Sequence, residues 1–529
     1  MVNEYVQLPL EEDHSWYLKK WWPYALIIIS CILLYAQSLW YGFSPMDEYW
    51  LITAEKEHLS HLSNLPNLFS YSTLGMYYRP MLAVTFLFDT VAGNGGTFCF
   101  HLTNILLHIS CSLLVFRFFL SLNLGKTVAF FSALIFAVHP VNIHAVAWIP
   151  GRNDSLLTMF TLLSCICLLR YLKENKLYWI LLHVLFFTCT LFTKESAIVL
   201  PVIYLILIFF FAKKNNFRFV LSICIAWLIL AVGWFLLRNH IVGYLLSTPS
   251  DGITNTLIRF ISSLLLHTGK IILPVEQSVF PLLQNTSLWP FIIVLMLTLL
   301  LFLKFGVRDK QIALLGLIWF FILIALPAWY GSANIFGEQY EHRDYTPLAG
   351  ALLFLSQLKL PVSRGRLKFF ALIIVILFSI KSFTRIPVYK NEFIYAKTGA
   401  AEAPSVSVFH YLLGIMYEER NNPKEALESL NSAIALDSGN GDFFMHRAKA
   451  YSELGDYQHA LSDDNKALQI DSTIKEAYLN RGFVNFKLGN FISAKSDFEK
   501  GEQLGGKADS IMMKSLNDSL NASKIIPAK

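Results

Sequence analysis

Runs of about 20 mostly apolar residues, the length a helix needs to cross a bilayer, recur through the first three-quarters of this chain. Candidate spans lie near 22–42, 98–120, 127–146, 154–172, 177–192, 196–212, 218–237, 289–304, 311–330, 345–358 and 367–384. Composition agrees: of 529 residues, 55% are hydrophobic and 15% charged, against about 45–50% and 25% in soluble domains. The first span opens on Trp21-Trp22-Pro23-Tyr24, an interfacial aromatic anchor without a small-residue cleavage site, and reads as an uncleaved anchor. The stretch 257–273 is interrupted by His267 and Lys270 and stopped by Pro274, and reads as an interfacial or re-entrant helix.

Lysine and arginine placement sets the orientation. Lys19 and Lys20 precede the first span, and Lys126, Lys173, Lys176, Lys213, Lys214, Arg218, Arg308, Lys310, Arg364, Arg366 and Lys368 then fall in loops on the same side. The opposite loops hold only Arg79, Arg152, Lys194, Arg238 and Arg343. With about eleven spans, the N-terminus is expected in the cytoplasm and the C-terminal tail in the periplasm of a bacterial inner membrane, or in the lumen in a eukaryote. Net charge is +6, but no basic run is long enough for a nucleic-acid partner. The seven cysteines all lie in or beside apolar stretches, so they read as small hydrophobes rather than a disulfide or zinc framework.

After about residue 407 the character changes to soluble helix with a 34-residue period. Gly414, Ala448 and Gly482 repeat at that spacing, as do Ala426, Ala460 and Ala494, and Ala433, Ala467 and Gly501. Asn421-Asn422, Gly455-Asp456 and Gly489-Asn490 mark the turn in each unit. Small residues recur where two helices must approach closely, and the pattern matches the tetratricopeptide repeat (TPR). About three repeats, with a helix over 507–520 as a cap, form the expected α-solenoid, which binds peptides or proteins and is not catalytic. The division expected is a membrane domain over 1–400 and a TPR domain over 401–529, joined by a tether of residues 385–404.

Ionisable residues beside spans are costly and point to function. Here they collect on one face. The first outer loop opens with Asp47-Glu48 and later holds Arg79; the next reads His139-Pro140 and then Arg152-Asn153-Asp154; the third is Lys194-Glu195; a later one holds Glu338, Glu341, His342, Arg343 and Asp344. Such a face suits a reaction between an outer-side acceptor and a lipid-borne phosphate. A carboxylate would act as base on a hydroxyl, and basic residues would hold the phosphate. Each element has a plainer reading: Asp47-Glu48 as solvated loop, Lys194-Glu195 as an internal ion pair, His139-Pro140 as a helix end. His139 and His144 lack the spacing of a specific metal-ligand motif, so no cofactor is assigned and a divalent metal is left without a ligand set.

At these residues the chain resembles the bacterial relatives of the transmembrane-and-TPR-containing protein O-mannosyltransferases, in the GT-C glycosyltransferase superfamily. The segments that carry the resemblance are Asp47-Glu48, Tyr78-Arg79-Pro80 with Phe86, and Phe100 through His108. They continue with His139-Pro140, Ala145 through Arg152, Lys194-Glu195-Ser196, and Glu341-His342-Arg343 followed by Tyr345, Pro347 and Gly350. The resemblance implies an all-α polytopic GT-C-like membrane domain with a C-terminal TPR α-solenoid. It further implies inverting transfer of a sugar from a polyprenyl-phosphate carrier to an acceptor hydroxyl on the outer face, with protein O-mannosylation as one form. The family's acidic residue maps to Asp47, with Glu48 as second candidate. Arg79, His139, Arg152, Asp154, Lys194, Glu195, Arg238, Glu341, His342 and Arg343 form the candidate substrate-binding set. The partners implied are the lipid-linked donor, membrane lipid and a protein or peptide acceptor in the TPR groove. Two other readings remain open: an O-antigen ligase or polymerase, whose catalytic loop lies late in the chain, and a non-catalytic membrane-anchored TPR scaffold, which leaves the ionisable clusters unused.

Overall fold

The computed structural model describes residues 15–44, 47–73, 75–212, 217–243, 253–275, 277–282, 286–333 and 339–525. Lys213, Lys214 and Glu338 lie outside the described residues. Among the described residues the chain is all-helical, with only two isolated bridges, Thr73 to Tyr77 and Val307 to Leu358, outside helices and loops. It separates into two compact units, Met1–Glu392 and Phe393–Lys529.

Every expected span falls on a helix in the first unit. Among the described residues six helices are long and apolar enough to cross a membrane: Trp22–Trp40, Thr97–Ser121, Ile149–Glu174, Phe217–Val242, Lys310–Trp329 and Arg364–Tyr389. Lys126–Val138 and Pro140–Ala147, bent by 49° at His139, make a seventh if taken as one span. The multi-pass reading stands, but the count of about eleven does not follow from length. The expected spans at 177–192, 196–212, 289–304 and 345–358 fall on Leu177–Leu191, Glu195–Phe211, Trp289–Phe305 and Tyr345–Ser356. At 1.5 Å per residue, helices of that length reach only about 18–25 Å, against a hydrocarbon core of about 30 Å. Ile253–Ile272 is not among the long apolar helices, because its polar residues are spread along it.

In hydrocarbon, polar side chains find partners on neighbouring helices. Trp227 Nε1 donates to His183 Nε2 at 3.0 Å, which leaves the ring proton on Nδ1, facing Ser164 Oγ at 2.8 Å. Three helices are thus pinned by one imidazole. His108 does the same elsewhere: Nε2 donates to the Ala137 carbonyl at 2.9 Å and Nδ1 accepts from the Tyr345 hydroxyl at 2.7 Å. Lys310–Ala333 and Tyr345–Ser356 approach so closely that a Cβ on Gly350 would lie 2.6 Å from Trp319 Cδ1 and 2.8 Å from the Gly316 carbonyl oxygen. Only glycine admits that contact, which fixes the start of Tyr345–Ser356 and with it the preceding turn Glu341–Asp344. The seven cysteines are free and buried or half-buried.

The second unit is three helix pairs: Ser407–Glu418 with Pro423–Leu436, Gly441–Glu453 with Tyr457–Ile470, and Lys475–Lys487 with Phe491–Gln503. Ala426, Ala433, Ala448, Ala460, Ala467 and Ala494 are fully buried. Each pair turns through a left-handed residue at the same register, Asn421, Gly455 and Gly489, with φ of 54°, 82° and 81°. An ion pair repeats with the same period: Arg447 binds Asp463 at 2.7 and 2.8 Å, and Arg481 binds Asp497 at 3.0 and 2.6 Å. Ser510–Ile525 closes the stack, its Leu516 buried against Ala494 and Phe498. The segment expected to be a tether is instead helical. Glu392–Glu402 buries Tyr395, Ala396 and Gly399, and a Cβ on Gly399 would meet Phe409 at 2.3 Å, so this helix belongs to the TPR stack.

Candidate active site

The loop that follows the first apolar helix is itself folded. Leu51, Ile52, Leu59 and Leu68 bury against Leu82, Phe86 and Leu87 of Pro80–Gly93, a helix too short to register as a span in the sequence. This packing holds the Asp47-Glu48 pair in place. Glu48 is buried: Ser44 N–H donates to Oε2, and Ile149 N–H donates to Oε1 at 3.1 Å. Both carboxylate oxygens are therefore occupied by backbone donors that tie residue 48 to the turn before Arg152. Burial pushes the Glu48 carboxyl up to about 7, against those hydrogen bonds. Asp47 is only half-buried. Burial also raises its pKa above the ordinary carboxylate value, while the Arg79 guanidinium pulls in the opposite direction.

Arg79 immediately precedes Pro80–Gly93, and the Met81 N–H donates to the Phe192 carbonyl at 3.1 Å, which brings the Tyr78-Arg79-Pro80 and Lys194-Glu195 motifs together. Arg79 donates to Glu195 Oε2 through Nε at 3.2 Å and Nη2 at 2.8 Å. Lys194 Nζ donates to both oxygens of Asp154 at 2.7 and 2.9 Å. Lys194 is thus not paired with its sequence neighbour; the two ion pairs cross. Burial lowers the Lys194 pKa against the attraction of Asp154, and Arg79 and Arg343 add to the lowering. His342 is held well below its ordinary pKa by burial, then by His144, Lys194, Arg343 and Arg79. Arg79, Asp154, Lys194, Glu195, His342 and Arg343 therefore form one electrostatic neighbourhood, and Asp47 lies within the field of its Arg79. His342 stacks on Tyr340 at 5.4 Å and meets His144 edge-on at 4.8 Å. His144 Nδ1, His342 Nδ1 and Trp148 Nε1 are buried polar atoms without a protein partner.

Other candidates sit apart from this chemistry. Arg152 is fully buried, and its guanidinium is consumed by Asp89 at 2.6 Å, Asn104 Oδ1 at 2.6 Å, Thr85 Oγ1 at 3.1 Å and the Phe100 carbonyl at 2.7 Å. Fully buried among four acceptors, it braces three helices, and the expected contact with a phosphate is one it is placed too deep to make. His139 takes its plainer reading: Nε2 donates to the Ile271 carbonyl at 2.9 Å while Nδ1 accepts from Val141 N–H at 3.3 Å, ending a helix. Arg238 donates locally to Asn239 at 3.1 Å. Glu341 accepts from Lys270 at 2.7 Å, and Asp344 lies 2.9 Å from His267. Lys270 and His267 are residues the sequence shows only as interruptions of an apolar stretch. Among the described residues no group of three His, Cys, Asp or Glu is disposed to hold a metal ion.

Residues 80–241 match the family model described as dolichyl-phosphate-mannose-protein mannosyltransferase. The chain is 27% identical to a protein O-mannosyl-transferase of Caenorhabditis elegans over 393 residues, 68% of this chain and 54% of that one. It is 32% identical to human protein O-mannosyl-transferase TMTC1 over 132 residues, 23% of this chain and 15% of that one. The chain thus spans about half the length of the worm relative and less of the human one. Among solved structures, an Arabidopsis OM64 TPR domain is 28% identical and covers 21% of this chain and 95% of its own, with a TM-score of 0.21.

Proposed function

From a chain that is a relative of the transmembrane-and-TPR-containing protein O-mannosyltransferases, we infer a membrane glycosyltransferase that moves mannose from a polyprenyl-phosphate carrier to an acceptor hydroxyl. The observation that carries this reading is the pair of crossed ion pairs that gather Arg79, Lys194, Asp154 and Glu195, with half-buried Asp47 in the field of Arg79 and with Arg343 acting on Lys194. Asp47 takes the proton of the acceptor hydroxyl as its oxygen bonds to the sugar C1. The C1–O bond to the phosphate breaks, with inversion at C1, and the departing phosphate carries the electron pair. Arg79, Lys194 and Arg343 offset the charge that develops there, an electrostatic role that geometry fixed in advance makes effective. Glu48, with both oxygens on backbone N–H groups, orients Asp47. The unpartnered nitrogens of His144, His342 and Trp148 are available to sugar hydroxyls. A GT-C-type arrangement of the membrane unit fits this chemistry. The scaffold reading gives these buried ion pairs no work.

The donor class is checked directly. Full-length protein in detergent, given labelled mannosyl polyprenyl phosphate or labelled GDP-mannose, should consume only the lipid-linked sugar. Consumption of the nucleotide sugar alone would reject the reading.

We place the site and the TPR unit on the periplasmic face of a bacterial inner membrane, or the luminal face in a eukaryote. The asymmetric Lys and Arg distribution supports this. Ser438 is exposed at the end of the first repeat, and no native cysteine is. Ser438→Cys should react with an impermeant thiol reagent in intact spheroplasts. Reaction only after lysis would put the TPR unit in the cytoplasm.

A further inference from the structure

The helix Ile253–Ile272 carries Thr256, Arg259, Ser263, His267 and Lys270 at three- and four-residue steps, which puts them on one stripe. Thr256, Ser263, His267 and Lys270 are buried, the side away from lipid that polar groups in a membrane protein take when partners wait there. Ser263, His267 and Lys270 meet the segment 339–344. Ser263 Oγ donates to Gln339 Oε1, and His267 Nε2 lies 3.2 Å from the same oxygen. His267 Nδ1 lies 2.9 Å from Asp344 Oδ1, with both side chains fully buried. Lys270 Nζ donates to Glu341 Oε1 at 2.7 Å, with 1% and 5% of the side chains exposed. The far end of the helix is itself anchored, because the Ile271 carbonyl accepts from His139.

These contacts hold residues 339 and 341, with Asp344 close beside His267. Glu341–Asp344 is a single helical turn, so Glu341 and Asp344 share one side of it while His342 and Arg343 project elsewhere. The charges that act on His342 include Lys194, Arg343 and Arg79, the basic residues of the site. Arg343 lies over the Tyr340 ring at 5.4 Å. The turn thus has an anchored side and a side that serves the cluster.

We propose that Lys270 is a positioning residue: by holding Glu341 it sets the turn that aims Arg343 at the phosphate of the lipid-linked donor. This rests on the functional reading above. Lys270 touches no substrate, and Glu341, a substrate-binding candidate in the sequence, becomes the anchor through which Lys270 acts. Removing one member of a buried pair leaves the other charge uncompensated, so the turn shifts to find another partner. A lost hydrogen bond to a charged phosphate costs about 10-fold or more in affinity.

The test is equilibrium binding of labelled polyprenyl phosphate to full-length protein in detergent micelles. Lys270→Met should weaken binding about 10-fold or more, and Lys270→Arg should restore most of it. In an Arg343→Gln background, Lys270→Met should have little further effect, because both changes remove the same contact. If Lys270→Met fails to give a monodisperse protein, Glu341→Gln is measured in the same cycle with the same expectation. Binding unchanged by Lys270→Met or Glu341→Gln, or losses that add in full to that of Arg343→Gln, would overturn the proposal. A wild-type protein that binds no polyprenyl phosphate would overturn the functional reading instead.

Discussion

Asp47→Asn should lower turnover about 10²–10⁴-fold, the usual contribution of a general base, while leaving the fold and the affinity for polyprenyl phosphate near those of the unaltered protein. The amide keeps the size of the side chain and loses the proton acceptor. Burial raises the Asp47 pKa, and a base works only when deprotonated, so turnover should fall as pH drops through a value above the ordinary carboxylate range. Arg79 acts against that rise, so Arg79→Gln should move the acid limb to higher pH, besides weakening donor binding. Glu48 titrates near 7 but is held by Ser44 and Ile149 N–H groups, so Glu48→Gln should disturb the position of Asp47 rather than delete the acid limb. Rates at each pH, separated into turnover and donor KM, decide between the two carboxylates. Near-normal turnover in Asp47→Asn would pass the role to Glu48.

Removal of the TPR unit should be almost as costly for the natural acceptor and nearly harmless to the donor reaction. The repeats bring a groove whose wall includes Lys449, Ser452, Glu453, Asn480 and Phe483. If the groove holds the acceptor protein, a second binding site adds about 10²–10⁴ in apparent affinity without touching the chemistry. Truncation after Lys390 removes the whole stack, including Glu392–Glu402, which packs on the first repeat. Acceptor modification at limiting acceptor should drop by that factor, while slow hydrolysis of the lipid-linked sugar persists. Unchanged modification in a folded truncated protein would refute recruitment. Loss of hydrolysis as well would make the TPR unit a support for the membrane unit.

The sequence shows most plainly what repeats or runs long. The TPR period predicts the left-handed turns at Asn421, Gly455 and Gly489, because glycine and asparagine at fixed register mark them. The Arg447–Asp463 and Arg481–Asp497 pairs carry the same period and could have been read with it. Long apolar runs predict the helices of the membrane unit, but not which of them cross, since crossing depends on length against thickness. Pro80–Gly93 is taken for loop because 14 residues are too few to stand out as a span. The candidate site is legible as a set of motifs, not as a wiring. Arg152 looks like the other cations beside the spans, yet Asp89 and Asn104, distant in sequence, absorb it. Lys194 looks paired with Glu195 and is paired with Asp154. Partners of that kind follow no local period, so only the folded chain reveals them.

The central claim is best tested by following the sugar. Full-length protein in liposomes is supplied with mannosyl polyprenyl phosphate labelled in the mannose, together with envelope or secretory-pathway proteins from the source cell. The account predicts label on serine or threonine hydroxyls, in the anomeric configuration opposite to that of the donor, and loss of that label in Asp47→Asn. Label that never leaves the lipid, or that reaches protein equally well with Asp47→Asn, would contradict it.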